Sequence, residues 1–280
     1  DDNERVNDTT PSIQIISTND PTIEPVSERT DDDGNQIAES DGTSDNPSVS
    51  EDGDWIVFDS LATNLDPDVP SGGNRQIYLR NRETREITLI SAANDGTVGN
   101  RDSRNPEISA DGRWIAFESG ATNFEDGAQG GQSQIFVYDR QLQRLVRVSE
   151  SADGTPANAS CFRPTISEDG RYVAYESFAN NLDPAFGPDE LGIVPVRQVY
   201  LTNRDVSGSG SFDIDGNIST TLASVRADGT PAQSEVRSPA LSLPADAIAL
   251  QTADSLDLAY GGEPEQIWWR AIDPTTGDFT

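Results

Sequence analysis

Between Asp205 and Asp215 the chain reads DVSGSGSFDID, with oxygen-bearing side chains on alternate residues. Asp205, Ser207, Ser209 and Asp213 stand at positions 1, 3, 5 and 9 of that run, with Gly210 at position 6. Ser211 offers a backbone carbonyl at position 7. In a tight loop every second side chain turns inward, and a glycine permits the sharp bend. A ring of roughly six to eight oxygens suits a hard cation, so these residues are the candidate metal ligands. Asp215, two residues beyond Asp213, continues the alternation.

Other chemistries are narrower. The chain has no His, which removes the commonest general base and every Ser–His or Cys–His nucleophile pair. Cys161 is the single cysteine and allows no internal disulfide. A carboxylate pair could still cleave a glycosidic bond. However, the acids recur at equivalent turn positions along the chain, whereas a catalytic pair should be unique. The expectation is therefore a protein that is not an enzyme. A net charge of −30 repels nucleic acid and anionic membranes and favours cations or basic partners. No apolar run is long enough to insert into a membrane. The chain contains no Met, so Asp1 reads as a processed N-terminus, which implies export.

The elements that must position the loop are repeats. NPSVSEDGDWIVFDSLATNL from Asn46 returns as NPEISADGRWIAFESGATNF from Asn105 and as RPTISEDGRYVAYESFANNL from Arg163. A worn copy, SPALSLPADAIALQTADSLD, starts at Ser238. The prolines Pro47, Pro106, Pro164 and Pro239 are 59, 58 and 75 residues apart. Each unit reads strand, Asp-Gly turn, strand. A third strand follows at Gln76, Gln134, Gln198 and Gln266, and the first three units show a fourth at Glu86, Leu145 and Thr220. Four short strands in tandem units predict an all-β propeller with four visible blades. From third-strand Gln to the next Pro takes 30 residues in blades one and two but 41 in blade three. The excess is the Asp205–Asp215 run. Trp268 falls at the repeat position of Tyr78, Phe136 and Tyr200, which predicts packing between blades.

The I-S-x-D-G-x-[WY]-[IV]-[AV]-[FY]-x-S pattern resembles the blade repeat of TolB-type β-propellers, mostly secreted or periplasmic bacterial proteins. That resemblance implies a propeller over residues 21–280, in blades of about 43–101, 102–160, 161–234 and 235–280. Residues 21–28 supply a last strand. The segment near Ile23–Ser27 is expected to complete the fourth blade and close the ring. Residues 1–20 form an acidic extension whose SIQIIS, from Ser12, could instead be donated to a neighbouring molecule. The Asp205–Asp215 run is itself similar to the calcium loop of EF-hands and dockerins, with Gly216 at position 12 in place of that loop's two-oxygen carboxylate and Asp215 as the substitute, which implies a weak site suited to extracellular calcium. The expected function is a calcium-stabilised module at the cell surface that binds a protein or carbohydrate. The alternative is a subunit that self-associates into fibres. The loops ATNLDPD, ATNFED and ANNLDP, which share one face with the connections between blades, predict a strongly negative face there.

Overall fold

The computed structural model describes residues 29–30, 36–38, 40–66, 73–124, 131–187, 196–214, 216–242, 245–253, 256, 266–273 and 279. Among them β1 (Arg29–Thr30) and β2 (Gln36–Ala38) pair as a small separate sheet. Blade one is β3 (Ser44–Val49), β4 (Trp55–Ser60), β5 (Gln76–Asn81) and β6 (Ile87–Leu89). Blade two is β7 (Ser103–Ile108), β8 (Trp114–Ser119), β9 (Gln134–Asp139) and β10 (Arg144–Arg147). Blade three is β11 (Cys161–Ile166), β12 (Tyr172–Ser177), β13 (Gln198–Asn203) and β14 (Ser219–Leu222). Blade four holds β15 (Val236–Leu241), β16 (Ala247–Thr252) and β17 (Gln266–Ala271). Every sheet is an antiparallel meander, and each blade's first strand packs against the next blade's first strand. The fold is an all-β propeller. The segments expected at Ile23–Ser27 and Ser12–Ser17 lie outside the described residues.

Three sequence features build each blade. First, the residue before the repeated proline takes a left-handed conformation. Asn46, Asn105, Arg163 and Ser238 have φ of 50, 50, 47 and 52°, and the strand register shifts at each. Proline pushes its predecessor out of the right-handed helical region, and a bulge accommodates the result. Second, the turn is clipped by its own side chains. Ser109 Oγ donates to Asp111 Oδ1 at 2.5 Å and accepts from Trp114 N–H at 2.9 Å. Ser50–Asp52 and Ser167–Asp169 repeat this arrangement. Blade four has lost the Asp-Gly pair, and there Ser242 donates to Asp246 at 2.7 Å instead. Third, the recurrent glutamine is a clip. Gln76 Oε1 accepts from Ser91 Oγ, while its Nε2 donates to Gly99 O at 2.8 Å, fastening the connection to the next blade. Gln134 with Ser149 and Gln198 with Ser224 do the same.

Apolar side chains on both faces of the middle strands fill the seams. Val57, Ile77 and Leu79 of blade one meet Ile108, Ile115 and Phe117 of blade two. Ala116, Ile135 and Val137 meet Ile166, Val173 and Tyr175 at the next seam, and Val199 and Leu201 meet Val236 and Ile248 at the third. Each fully buried aliphatic side chain of this kind contributes about 1.5–3 kcal/mol. Trp268 packs into that third seam, as its repeat position implies.

A carboxylate crosses each seam as well. Asp59 Oδ2 accepts from Asn105 N–H at 3.0 Å, Glu118 Oε2 from Arg163 N–H at 2.7 Å, and Glu176 Oε1 from Ser238 N–H at 2.9 Å. The donor is always the left-handed residue of the following blade. Blade four carries Gln251 at this position.

Candidate functional site

The blade-three insertion runs from the end of β13 to the start of β14, at the Asp-Gly end of the blade. Arg204, which precedes it, is fully buried. Its guanidinium lies 4.2 Å from the Trp114 ring centroid and 5.2 Å from that of Phe212, and donates to Gly170 O at 2.7 Å. Phe212 in turn tilts against Trp114 with centroids 4.8 Å apart. The insertion is thus pinned across the seam between blades two and three.

The proposed ligands divide into two groups. Asp205 is an internal hub. Its Oδ1 accepts from Asn217 Nδ2 at 2.8 Å, Ser207 Oγ at 2.9 Å, and Ser209 N–H and Oγ at 3.2 and 3.3 Å. Its Oδ2 accepts from Gly210 N–H at 2.6 Å. Burial alone would raise this carboxyl, but the hydrogen bonds from Asn217, Gly210, Ser207 and Ser209 outweigh it and bring the pKa to about 2. Asp213 faces elsewhere: both of its oxygens accept from Arg204, at 2.8 and 2.5 Å. Asn217 Nδ2 also donates to Ser211 O at 3.2 Å, so an amide spans two oxygens assigned to the cation. Asp215 lies outside the described residues. Two features among the described residues bear on a cation here. One carboxylate, Asp213, is paired with a buried arginine, and the other, Asp205, accepts most of its N–H and O–H donors on Oδ1 and a single N–H on Oδ2. The amide at Asn217, just past position 12, carries that signal in the sequence. A run of side-chain types alone cannot show it.

A second site went unrecognised in the repeat. The four inner strands converge on a cavity of about 370 Å³, lined by Val49, Ile108, Ile166 and Leu241 together with Glu51, Glu107 and Glu168. Glu107 occupies the repeat position held by Ser48, Thr165 and Ala240, so it is an acid that breaks the pattern. Thr165 Oγ1 donates to Glu107 Oε1 at 3.0 Å. Burial raises this carboxyl against that bond and one from Ile166 N–H. An acid with a raised pKa facing a cavity is a physical mark of a functional position.

On the connection face, most acids behind the expected negative surface, among them Asp68, Glu125 and Asp126, lie outside the described residues. Asn123 Oδ1 accepts from Asn100 N–H and its Nδ2 donates to Val98 O, and Asn181 holds Asn158 and Pro156 in the same way. These residues build turns. Arginines pair with the blade acids: Arg75 with Asp59 and Asp45, Arg104 with Asp102, and Arg163 and Arg197 with Glu176. Cys161 sits where blades one and two have Ser44 and Ser103, and donates to Ser177 Oγ at 3.2 Å. Burial pushes its thiol to about 12, which leaves it inert.

No helix among the described residues is long and apolar enough to cross a membrane. No family model matches the sequence, and no curated protein does. Among solved structures the chain is similar to TolB from Acinetobacter baumannii, at 18% identity and a TM-score of 0.45, over 87% of this chain and 43% of that one. It is also similar to the tricorn protease, at 17% and 0.49, over 88% and 23%. An oligogalacturonate lyase in complex with manganese shows 14% and 0.45, over 88% and 54%. The chain thus spans about half or less of the proteins it resembles. The repeated blade motif and the four sheets it builds make the fold a β-propeller, with a blade repeat that resembles that of TolB-type proteins.

Proposed function

We propose that this chain is a non-catalytic extracellular binding module that takes a basic, partly aliphatic segment of a partner protein at its axial mouth. The observation that carries this reading is the cavity of about 370 Å³ where all four inner strands meet, with an apolar floor and three glutamates. Aliphatic walls would hold the methylenes of a lysine or arginine, and the carboxylates would take its head. A net charge of −30 would steer such a partner towards the protein from a distance. The reading needs no calcium.

The test is fluorescence anisotropy with a labelled peptide of lysine and valine. Binding should weaken with salt and fall by about tenfold or more in the triple variant Glu51→Gln, Glu107→Gln, Glu168→Gln. Affinity should climb as pH rises through the carboxylate range, because burial keeps Glu107 protonated to higher pH than an ordinary glutamate. Equal binding by parent and variant would sink the reading.

One observation favours a second reading, the self-associating subunit. β17 is the edge of a sheet that has three strands among the described residues. Ile267 and Trp269 on it are 71% and 72% exposed, although Ile77, Ile135 and Val199 at the first of these positions are fully buried. An exposed apolar edge is a template for strand addition. Light scattering on the full chain should then show concentration-dependent association, reduced by Trp269→Lys. A discrete monomer over the whole range removes this reading.

A further inference from the structure

The insertion that breaks the repeat also makes a cleft, of about 290 Å³, between itself and the outer hairpin of blade two. Leu142 stands on one wall, 66% exposed, and Ile214 on the other, 52% exposed. Single exposed aliphatics need no explanation, but two across a shared cleft form a surface. Five charged residues line it, and four are already matched. Arg113 grips Asp139 through Nε at 3.1 Å and Nη2 at 2.7 Å, and Arg204 grips Asp213 in the same two-pronged way. Arg144 is left: it is exposed and has no ion pair among the described residues. The described lining of the cleft therefore carries one net positive charge on a chain whose total is −30.

The loop is also preorganised. The Asp205 hub, the buried Arg204 and the Phe212 anchor fix its backbone before any ligand arrives, so binding bears little ordering cost. We infer that this cleft docks an extended segment of a partner protein in which an aliphatic side chain stands beside an aspartate or glutamate. The aliphatic group lies between Leu142 and Ile214, and the carboxylate meets Arg144, whose planar fork suits it. The site is separate from the axial mouth and selects the opposite charge, so it stands or falls independently.

The test uses the full chain and a fluorescein-labelled peptide of glycine, leucine and aspartate, read by anisotropy. Saturable, salt-sensitive binding is expected, weakened by about tenfold or more in Arg144→Glu. The pair Leu142→Ser, Ile214→Ser should weaken it comparably while salt sensitivity persists. All three residues are exposed, so the melting temperature should stay within a degree or two of the parent and serves as the folding control. The triple glutamine variant of the axial mouth should bind this peptide as the parent does. Absence of saturable binding, or binding indifferent to Arg144→Glu, overturns the inference. So does a peptide whose binding responds to the axial variant and not to the cleft.

Discussion

Glu176→Ala should lower the free energy of unfolding by about 3–5 kcal/mol, the cost of breaking a buried charge network on one side. Glu176 is fully buried at the end of β12 and joins two blades. Its Oε1 accepts from Ser238 N–H at 2.9 Å, and its Oε2 from Arg197 Nη1 at 2.9 Å. Arg163 lies 3.7 Å from Oε1. Truncation leaves a left-handed residue without the acceptor that offsets its conformation, and leaves Arg197 without its carboxylate. Glu176→Gln keeps an acceptor for Ser238 and removes the charge, so it should cost less. Urea denaturation measures both. If alanine and glutamine each cost under about 1 kcal/mol, the carboxylate is not what fastens blade four to blade three. Glu118→Gln is the internal comparison. Burial raises that carboxyl above the ordinary glutamate range, against the bond from Arg163 N–H, so the neutral form is already closer to hand.

The same seam shows what could be read before the structure. Asp59, Glu118 and Glu176 each follow the repeated proline by 12 residues, and periodicity alone marks them as structural. What periodicity hides is direction. It does not say that the acid reaches forward to the next blade's bulge, because that contact spans 46, 45 and 62 residues. Glu107 was within reach of the sequence: its equivalents are Ser48, Thr165 and Ala240, and one acid among them breaks the repeat. The insertion was legible as an insertion, but its internal hydrogen bonding was not. Alternate oxygens describe a cation loop and equally a loop closed by its own donors, and the two differ in where Arg204 and Asn217 point. Arg204 precedes the run and reads as an ordinary strand-end arginine until Trp114, a whole blade away, is seen beneath it.

That difference sets up the second large effect. Arg204→Ala should cost about 3–5 kcal/mol, because it strands Asp213, removes the donor to Gly170 O and uncovers the Trp114 and Phe212 rings. Arg204→Lys should recover little of this, since an ammonium supplies neither the two-pronged grip on Asp213 nor the flat stack between two rings. Asp213→Ala alone should also be costly, for it leaves a fully buried guanidinium uncompensated. A calcium-closed loop would behave otherwise, with Asp213→Ala mattering only when metal is present. Scanning calorimetry with excess calcium and with chelator should therefore give the parent one melting temperature, and the Arg204 and Asp213 variants should lose stability equally in both. Acid adds a check with a definite sign. Asp205 has a folded pKa of about 2, below the ordinary value of 3.8, so its contribution is complete above that ordinary value and disappears as pH falls towards 2. Asp205→Asn should remove that part of the acid dependence. A melting temperature that rises with calcium in the parent, and not in Asp205→Asn, would return the loop to the metal and make Arg204 secondary.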